Sequence, residues 1–476
     1  MSHEENKAER NAILKAGLGY TIGNYMIKGL TFFSIPIFAR LLSPDNYGIY
    51  NTYIAYESIL CMCVGFTLNT CQKNARYKYG KDYGEFVSSC MILLLVSAGT
   101  WLLLIKMFEG PLTTYTGFDY WIHNLLILHC LGSAILSIFN VYLSITYSYK
   151  GYLLAAGFNA VFNIGLSILL IKTVFSWHPA KGRIVGTVIP VLFLAVFICL
   201  YFWKEKRPPA DRTTNFRYWR FALAYSVPLI PHGISQVLLN QFDRIMINSI
   251  CGAAQAGIYS FAYNIYSIVG VTTASLENVW SPWFFEKAQI GEIGSIEKRA
   301  TQYAVMVALF VSSIMLVSPE LIVILGTSSY AGAEYCVIPI LVGGFFAFLY
   351  TIPVQVQYYY GKTKLIALGT VVAAMINIVL NSIFIPMYGY VAAAYTTAVT
   401  YGLNFAFHAF ISSRIGNVHY FKWSGLFLSG GLCVTVAAIA VTLVSYIEFR
   451  LGVLAVLLFC AFSYWKSVSR KADIQV

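Results

Sequence analysis

Apolar residues occur along this chain in long runs that are separated by short polar or charged segments. The stretch from Ala16 to Ala39 has 24 residues and a single charged one, Lys28. At a rise of about 1.5 Å per helical residue, such a stretch crosses the ~30 Å hydrocarbon layer of a bilayer. Runs such as 91–105 and 185–203 lack the alternation of barrel strands, so the pattern predicts transmembrane helices.

The complete set of apolar windows predicts an all-α polytopic membrane protein with about 14 transmembrane helices. The windows lie at residues 17–40, 47–72, 85–107, 120–146, 151–174, 183–203, 219–247, 256–283, 301–325, 336–360, 364–386, 389–412, 423–446 and 449–465.

Lysine and arginine positions predict how these spans are oriented. With the N-terminus inside, the inner segments hold 24 basic residues and the outer segments hold 7, while Lys28 stays within the membrane. Because cytoplasmic loops carry most of the basic residues, both termini are predicted to be cytoplasmic.

A proline-containing basic segment and an internal repeat predict two lobes of six helices each. The segment KEKRPPADRTTNFR, residues 204–217, follows the sixth span, and YGIYNTYIAYESIL from Tyr47 recurs 209 residues later as AGIYSFAYNIYSIV from Ala256. A substrate path between parallel repeats is the expected consequence. The predicted domains are residues 1–203 and 218–413 for the lobes, 204–217 for a cytoplasmic linker, and 414–476 for two accessory helices with a cytoplasmic tail.

Polar side chains spaced three or four residues apart form stripes on several predicted spans. Such stripes face other helices or water, because polar groups are unfavourable against lipid. Interhelical hydrogen bonding is the alternative role for the neutral positions. The candidates for a substrate cavity are Lys28, Asn24, Arg244, Tyr259, Tyr263, Tyr266 and Gln355, and the candidates for binding a coupling ion are Glu57, Asp243 and Glu277.

Lys28 carries the strongest functional expectation. A lone charge at the bilayer centre costs at least ~2.5 kcal/mol, so a ligand or partner should compensate it. A structural salt bridge from Lys28 to Glu57 or Glu277 competes with that role, and Arg244 has the alternatives of snorkelling to the surface or pairing with Asp243.

Composition narrows the function classes. The chain is 58% hydrophobic and 11% charged, which is typical of a membrane protein. Its net charge of +12 is spread over short loops, so no nucleic-acid partner is predicted. The ten cysteines lie mostly in apolar runs without zinc-site spacing, and therefore no metal, disulfide or cofactor is expected. The charged N-terminal stretch lacks a cleavage site, so no removed signal peptide is expected.

The opening block YTIGNYMIKGLTFFSIPIFARLLSPDNYGIYN, residues 20–51, resembles the start of bacterial polysaccharide repeat-unit flippases. These are the O-antigen and capsule translocases of the multidrug/oligosaccharidyl-lipid/polysaccharide exporter superfamily. The segment NQFDRIMINSICGAAQAGIYSFAYNI, residues 240–265, is similar to the beginning of their second lobe. The resemblance covers essentially the whole chain and implies a charged central cavity.

That resemblance implies a transporter of the bacterial cytoplasmic membrane that flips a polyprenyl-pyrophosphate-linked oligosaccharide by alternating access. Lys28 and Arg244 would attract the pyrophosphate, and the tyrosines of the eighth span would stack on sugars. Polysaccharide polymerase and assembly proteins are the implied protein partners, and proton or sodium coupling is an open alternative to uncoupled transport.

Three other functions compete with this one. A multidrug or cation antiporter of the same superfamily would use Glu57, Asp243 and Glu277, but Lys28 and the 14 predicted spans argue against it. A lipid II flippase is a close cousin. A membrane-embedded polysaccharide polymerase needs a folded outer loop, whereas the longest outer connection predicted here is residues 109–119. No enzymatic activity is expected.

Overall fold

The computed structural model describes residue 23, residues 25–415 and residues 418–473. The regular elements of these residues are helices. In chain order they are α1 (25–41), α2 (Pro44–Gly65), α3 (Gln72–Tyr79), α4 (Tyr83–Met107), α5 (Glu109–Thr116), α6 (Tyr120–Ile145), α7 (Tyr149–Lys172), α8 (Pro179–Glu205), α9 (Arg212–Ser226), α10 (Ile230–Cys251), α11 (Ala253–Gln289), α12 (Ile293–Leu325), α13 (Glu334–Leu349), α14 (Thr351–Tyr359), α15 (Thr363–Tyr388), α16 (Val391–Arg414), α17 (Trp423–Thr442) and α18 (Ile447–Asp473).

The helical fold class follows from the hydrocarbon environment of the bilayer. A segment inside hydrocarbon has to satisfy its backbone N–H and C=O groups within itself, and a helix does so. Nine helical segments in the described part of the chain are long and apolar enough to cross a membrane. The all-helical prediction is therefore confirmed, whereas the total of 14 spans and the cytoplasmic position of both termini stay predictions.

The basic linker leads into a well-capped helix, α9. The carboxylate of Asp211 accepts hydrogen bonds from the backbone N–H groups of Thr213 and Thr214, each at 3.0 Å. Hydrogen bonds from Thr213 and Thr214 lower the pKa of this exposed carboxyl group, because they favour its charged form. The cap explains why a helix begins directly after a segment that contains two prolines.

The described chain divides into two compact units. The first consists of the described residues up to Leu42 together with Ile49–Gln241, and the second of Ser43–Gly48 together with the described residues from Phe242 onward. In the first unit, the core lies where α4, α6, α8 and α9 meet. Its buried side chains include Phe86, Leu94, Ile127, Ile198 and Phe202.

The second unit is built around α13, which packs on α11, α12 and α16, while α17 and α18 pack on α12. An ion pair between a buried arginine and a partly exposed glutamate attaches α18. Arg450 Nη2 donates to Glu320 Oε1 at 2.7 Å and Nη1 donates to Glu320 Oε2 at 2.8 Å. The C-terminal pair of helices is therefore bound to the unit by charge as well as by apolar packing.

The division between the compact units falls later than the predicted linker. It lies at Gln241, inside α10, because α9 packs on α4 and on the turn that precedes α10. The prediction that residues 204–217 separate two six-helix lobes stays a prediction, as do the other domain limits.

Candidate functional site

A buried carboxylate, Asp243, is the centre of a polar network in the second unit. Its side chain is 1% exposed. Asn381 Nδ2 donates to Oδ1 at 2.8 Å, while the Tyr259 hydroxyl at 2.6 Å and the Thr397 hydroxyl at 2.9 Å donate to Oδ2. Four helices, α10, α11, α15 and α16, each contribute one of these groups. The network thus depends on the tertiary packing of the unit.

The network continues along α15 and α16 through further amides and hydroxyls. Asn377 Nδ2 donates to Thr397 Oγ1 at 3.2 Å, and Asn381 Nδ2 is also 3.2 Å from Asn377 Oδ1. The Thr396 hydroxyl donates to Asn381 Oδ1. Carboxylate, amide and hydroxyl oxygens are the ligands that hard cations prefer, so this cluster can hold a sodium ion or store a proton on Asp243.

Three tyrosines predicted as cavity residues form a ladder on α11. The ring centroids of Tyr259 and Tyr263 are 5.2 Å apart, and those of Tyr263 and Tyr266 are 5.8 Å apart. The guanidinium carbon of Arg244 lies 4.5 Å from the centroid of the Tyr263 ring. The ladder therefore starts at the Asp243 network and carries a cation on its middle ring, and the predicted residues Asp243, Arg244, Tyr259, Tyr263 and Tyr266 come together.

Two other predicted residues of the second unit lie apart from these contacts. Gln355 is buried in α14 and accepts a hydrogen bond from the Ser281 hydroxyl at 2.9 Å. Glu277 is half-buried on α11 and is in none of the ion pairs that the described residues form.

In the first unit, Glu57 lines a cavity of about 450 Å³ together with His232 and Ser137. The Ser133 hydroxyl donates to Glu57 Oε1 at 2.8 Å. The buried Nδ1 of His232 has no hydrogen-bond partner in the described part of the chain. The side chain of Glu57 thus lines a cavity that is also lined by the imidazole ring of His232.

Lys28 is exposed on α1 and belongs to none of the four ion pairs of the described residues. The salt bridges considered for it with Glu57 and Glu277 are therefore not formed within that part of the chain. Asn24 lies outside the described residues.

The polar stripes found in the sequence did not identify several residues that belong to the buried polar networks of the structure. Asn381 and Thr397 bind Asp243 but lie on helices for which sequence reasoning named no site residue. Arg183, which is one of the seven basic residues counted on the outer side and stands at the first position of the predicted span 183–203, is a buried residue of α8. The available signal was the four-residue spacing of Asn377 and Asn381, which places two amides on one helical face.

Comparisons with known proteins agree with this architecture. The family model described as "Polysaccharide biosynthesis protein" matches residues 13–287, which is more than half of the 476 residues. The chain is 23% identical over 414 residues to a probable low-salt glycan biosynthesis flippase, Agl15, of Haloferax volcanii, with 86% of this chain and 85% of that protein covered. It is 24% identical over 378 residues to Lsg locus putative protein 1 of Haemophilus influenzae, with 77% and 90% covered.

Solved structures share the fold at low sequence identity. The lipid II flippase MurJ in an inward closed conformation has a TM-score of 0.69 at 13% identity, with 94% of this chain and 99% of that chain covered. An inward-facing multidrug resistance MATE family transporter of the MOP superfamily has a TM-score of 0.63 at 13% identity, with 82% and 94% covered. The fold is therefore that of multi-pass membrane transporters.

Proposed function

Because this chain belongs to the polysaccharide biosynthesis protein family, we propose that it is a flippase that moves a polyprenyl-pyrophosphate-linked oligosaccharide across the membrane by alternating access. The observation that carries the proposal is the tyrosine ladder Tyr259–Tyr263–Tyr266 with Arg244 on its middle ring. The half-buried rings of Tyr263 and Tyr266 can stack on sugars while their hydroxyl groups donate hydrogen bonds, and Tyr259, which is buried with its hydroxyl on Asp243, holds the ladder in place. The named relatives, a glycan flippase and a lipid II flippase, support the same class of substrate.

The physical task is to shield a hydrated headgroup from hydrocarbon. Each polar group of a sugar that loses water without a new partner costs several kcal/mol. Hydroxyls, amides and ring faces inside the protein replace that water, while the prenyl tail stays in lipid. In this scheme Lys28 and Arg244 each attract the pyrophosphate at some stage of transport, and Asn24 and Gln355 are candidates for hydrogen bonds to the headgroup.

We assign ion coupling to Asp243 in preference to Glu57 and Glu277. Its carboxylate is held by three donors from three other helices. Binding of sodium or a proton has to rearrange those hydrogen bonds and therefore changes how α11, α15 and α16 pack. This is the kind of differential interaction that couples ion binding to a conformational change.

The location that fits the scheme is the bacterial cytoplasmic membrane. We propose 14 spans with both termini in the cytoplasm, the side on which lipid-linked sugars are assembled. Polymerase or assembly proteins would then accept the O-antigen or capsular repeat unit on the outer side.

Transport in liposomes tests the function. The purified chain is reconstituted with a fluorescent polyprenyl-pyrophosphate oligosaccharide, and the fraction of label in the opposite leaflet is measured with a membrane-impermeant quencher. Protein-dependent movement supports the proposal, and a rate equal to that of protein-free liposomes contradicts it. A variant in which Tyr263 is replaced by Leu keeps an apolar side chain at the middle of the ladder but removes the ring face and the hydroxyl group, and it should transport several-fold more slowly.

A multidrug or cation antiporter is the second candidate, and the buried Asp243 network favours it, since a carboxylate suits cationic substrates. Efflux of a lipophilic cation from the same liposomes, without movement of the lipid-linked sugar, would support this candidate. A lipid II flippase is tested by exchanging the oligosaccharide for lipid II in the same assay.

A further inference from the structure

Arg183 is a buried charge whose position follows from two glycines on α8. The side chain of Arg183 is 8% exposed. A Cβ atom added at Gly186 would lie 2.5 Å from the Cα of Ser167, so only glycine lets α8 approach the backbone of α7 this closely. Gly182, one turn earlier, faces Ile171 in the same way, at 3.1 Å from its backbone nitrogen. This close packing holds Arg183 against the polar face of α7.

The guanidinium group is held by neutral partners. Nη1 donates to Asn163 Oδ1 at 2.6 Å and to Ser167 Oγ at 2.7 Å. The guanidinium carbon lies 3.7 Å from the ring centroid of Phe38 and 4.7 Å from that of Tyr50. Within the described residues no carboxylate forms an ion pair with it.

Another buried arginine of this chain, Arg450, has a carboxylate as its counter-ion. Arg450 is 4% exposed, and two of its nitrogens bind both oxygens of Glu320. A buried cation without a counter-ion is costly, and cation–π contacts return only about 0.5–2 kcal/mol. Arg183 therefore has a charge that its described neighbours leave without an anion.

Arg183 lines a polar cavity in the first unit. The cavity has a volume of about 310 Å³, which suits one sugar ring with its substituents. Asn159 lines it too, and its buried Oδ1 has no hydrogen-bond partner among the described residues. The cavity is thus lined by a buried cation and by an amide whose oxygen has no hydrogen-bond partner among the described residues. Its other polar lining residues are Thr31, Ser34, Tyr50, Asn140 and Asn163.

The helices α7 and α15, which are the fifth spans of the two predicted lobes, each carry a polar pair that binds a charged side chain. Asn163 and Ser167 on α7 have the same four-residue spacing as Asn377 and Asn381 on α15. The first pair holds the cation Arg183, and Asn381 of the second pair holds the anion Asp243. The α7 network thus surrounds the guanidinium group of Arg183, which can attract an anion. The α15 network surrounds the carboxylate of Asp243.

We propose that this cavity binds an acidic sugar of the substrate, with the sugar carboxylate on Arg183 and a neighbouring hydroxyl donating to Asn159. The proposal rests on the proposed function and names its substrate class, an oligosaccharide that contains a uronic acid or a similar acidic residue. A carboxylate is the planar acceptor that a guanidinium group binds best, and an amide oxygen accepts from a hydroxyl.

Binding to the purified full-length protein tests the site directly. Glucuronate, glucose and inorganic pyrophosphate are titrated by calorimetry in detergent. Glucuronate should bind and glucose should not, and replacing Arg183 by Gln should raise the dissociation constant for glucuronate by about tenfold or more. An Asn159→Ala variant should weaken binding several-fold without touching the arginine, which keeps the test valid if the Gln variant does not fold. Lys181→Gln is the matched control, because Lys181 lies on the same helix and pairs with Asp119.

Three binding results would overturn the proposal. They are equal affinity for glucose and glucuronate, no glucuronate binding to the wild type, and binding of pyrophosphate alone in an Arg183-dependent way. The last result would assign the cavity to the phosphates of the carrier lipid.

Transport selectivity separates this proposal from the proposed function. Two lipid-linked disaccharides that differ only in a terminal glucose or glucuronate are offered to the reconstituted protein. The wild type should prefer the acidic substrate, Arg183→Gln should lose the preference, and Arg183→Lys should keep part of it. Unchanged preference in the Gln variant contradicts the acidic-sugar site even though flipping itself is observed. Arg183-dependent glucuronate binding without any lipid transport contradicts the flippase and leaves the sugar site standing.

Discussion

At the scale of the residue, Asp243 is buried and its carboxylate accepts three hydrogen bonds, and the role of its charge is the property to test. Replacing it by Asn keeps the size and one acceptor but removes the charge. Because a neutral amide offers a coupling cation no opposite charge, affinity for that cation should fall by at least about tenfold, which corresponds to about 1.4 kcal/mol. The measurement is transport in liposomes with an imposed sodium gradient and, separately, an imposed pH gradient.

A conservative substitution controls for damage to the fold. Thr397→Ser keeps the hydroxyl that donates to Asp243 and should leave gradient dependence nearly unchanged. Gradient-driven transport by the Asn variant at the wild-type rate would exclude Asp243 from coupling.

Lys28 allows a clean test because its side chain is exposed. Replacing it by Ala removes a charge without opening a cavity in the core, so expression and thermal stability should stay at wild-type values. If the ammonium group attracts pyrophosphate, flipping should fall at least severalfold, and Lys28→Arg should restore part of it. Full transport by the Ala variant would remove Lys28 from the mechanism.

Sequence periodicity predicted part of the site and could not predict the rest. The four- and three-residue spacing of Tyr259, Tyr263 and Tyr266 showed that they share a face, and the ladder has that arrangement. Which helices meet is decided by packing. The contact of Asp243 with Asn381, 138 residues later in the chain, therefore has no local signal. Arg183 was missed for a related reason, since a charge near a span end looks like a loop residue until α7 and α8 pack together.

At the scale of the element, two repeat-related glycines bring helix backbones into close contact within the second unit. A Cβ atom at Gly48 would lie 1.8 Å from the carbonyl oxygen of Ala253, and one at Gly257 would lie 1.9 Å from that of Pro44. Gly257→Ala should lower the free energy of unfolding by at least about 1–3 kcal/mol, the usual cost of overpacking. Thermal unfolding in detergent measures this loss.

A glycine in open space provides the comparison. Gly402 lies within α16 and has nothing within 4 Å of an added Cβ atom, so Gly402→Ala should be neutral or stabilising. Equal melting temperatures for Gly257→Ala and the wild type would mean that the helices are not packed this closely in the purified protein.

The Asp211 cap makes the start of α9 sensitive to acid. The pKa of Asp211 is lowered in the folded state by hydrogen bonds from Thr213 and Thr214, so its contribution is present above the unfolded pKa of about 3.9. The contribution is lost as the pH falls through the lower, folded-state pKa. Amide exchange at Thr213 and Thr214, corrected for its intrinsic pH dependence, should accelerate in that range.

Variants at the cap separate charge from hydrogen bonding. Asp211→Ala should expose the first turn of α9 at every pH. Asp211→Asn keeps an acceptor, so protection should persist and lose its pH dependence. Protection in the Ala variant equal to that of the wild type would show that the cap does not hold the helix start.

At the scale of the whole molecule, the bilayer made the fold class predictable. Composition excluded a soluble chain, and the hydrogen-bonding requirement of hydrocarbon then left helices as the elements. The limits of the compact units were less predictable, because α9 and the first half of α10 pack with the first unit although they follow the linker. A count of apolar windows assigns helices to the membrane but carries no information on which helices pack together.

Orientation is the remaining property of the whole chain, and the excess of basic residues on one side predicts it. Lys78 lies on the short basic helix α3, and Gly117 ends α5 in a left-handed conformation at φ 71°. A phosphatase fused after Gly117 should be active because that site is predicted to be outside, and one fused after Lys78 should be silent because cytoplasmic phosphatase does not fold. A reporter that is active only in the cytoplasm, fused at the same two sites, should give the opposite pattern. The reverse result with both reporters would place the basic loops outside and overturn the direction of transport that the flippase scheme requires.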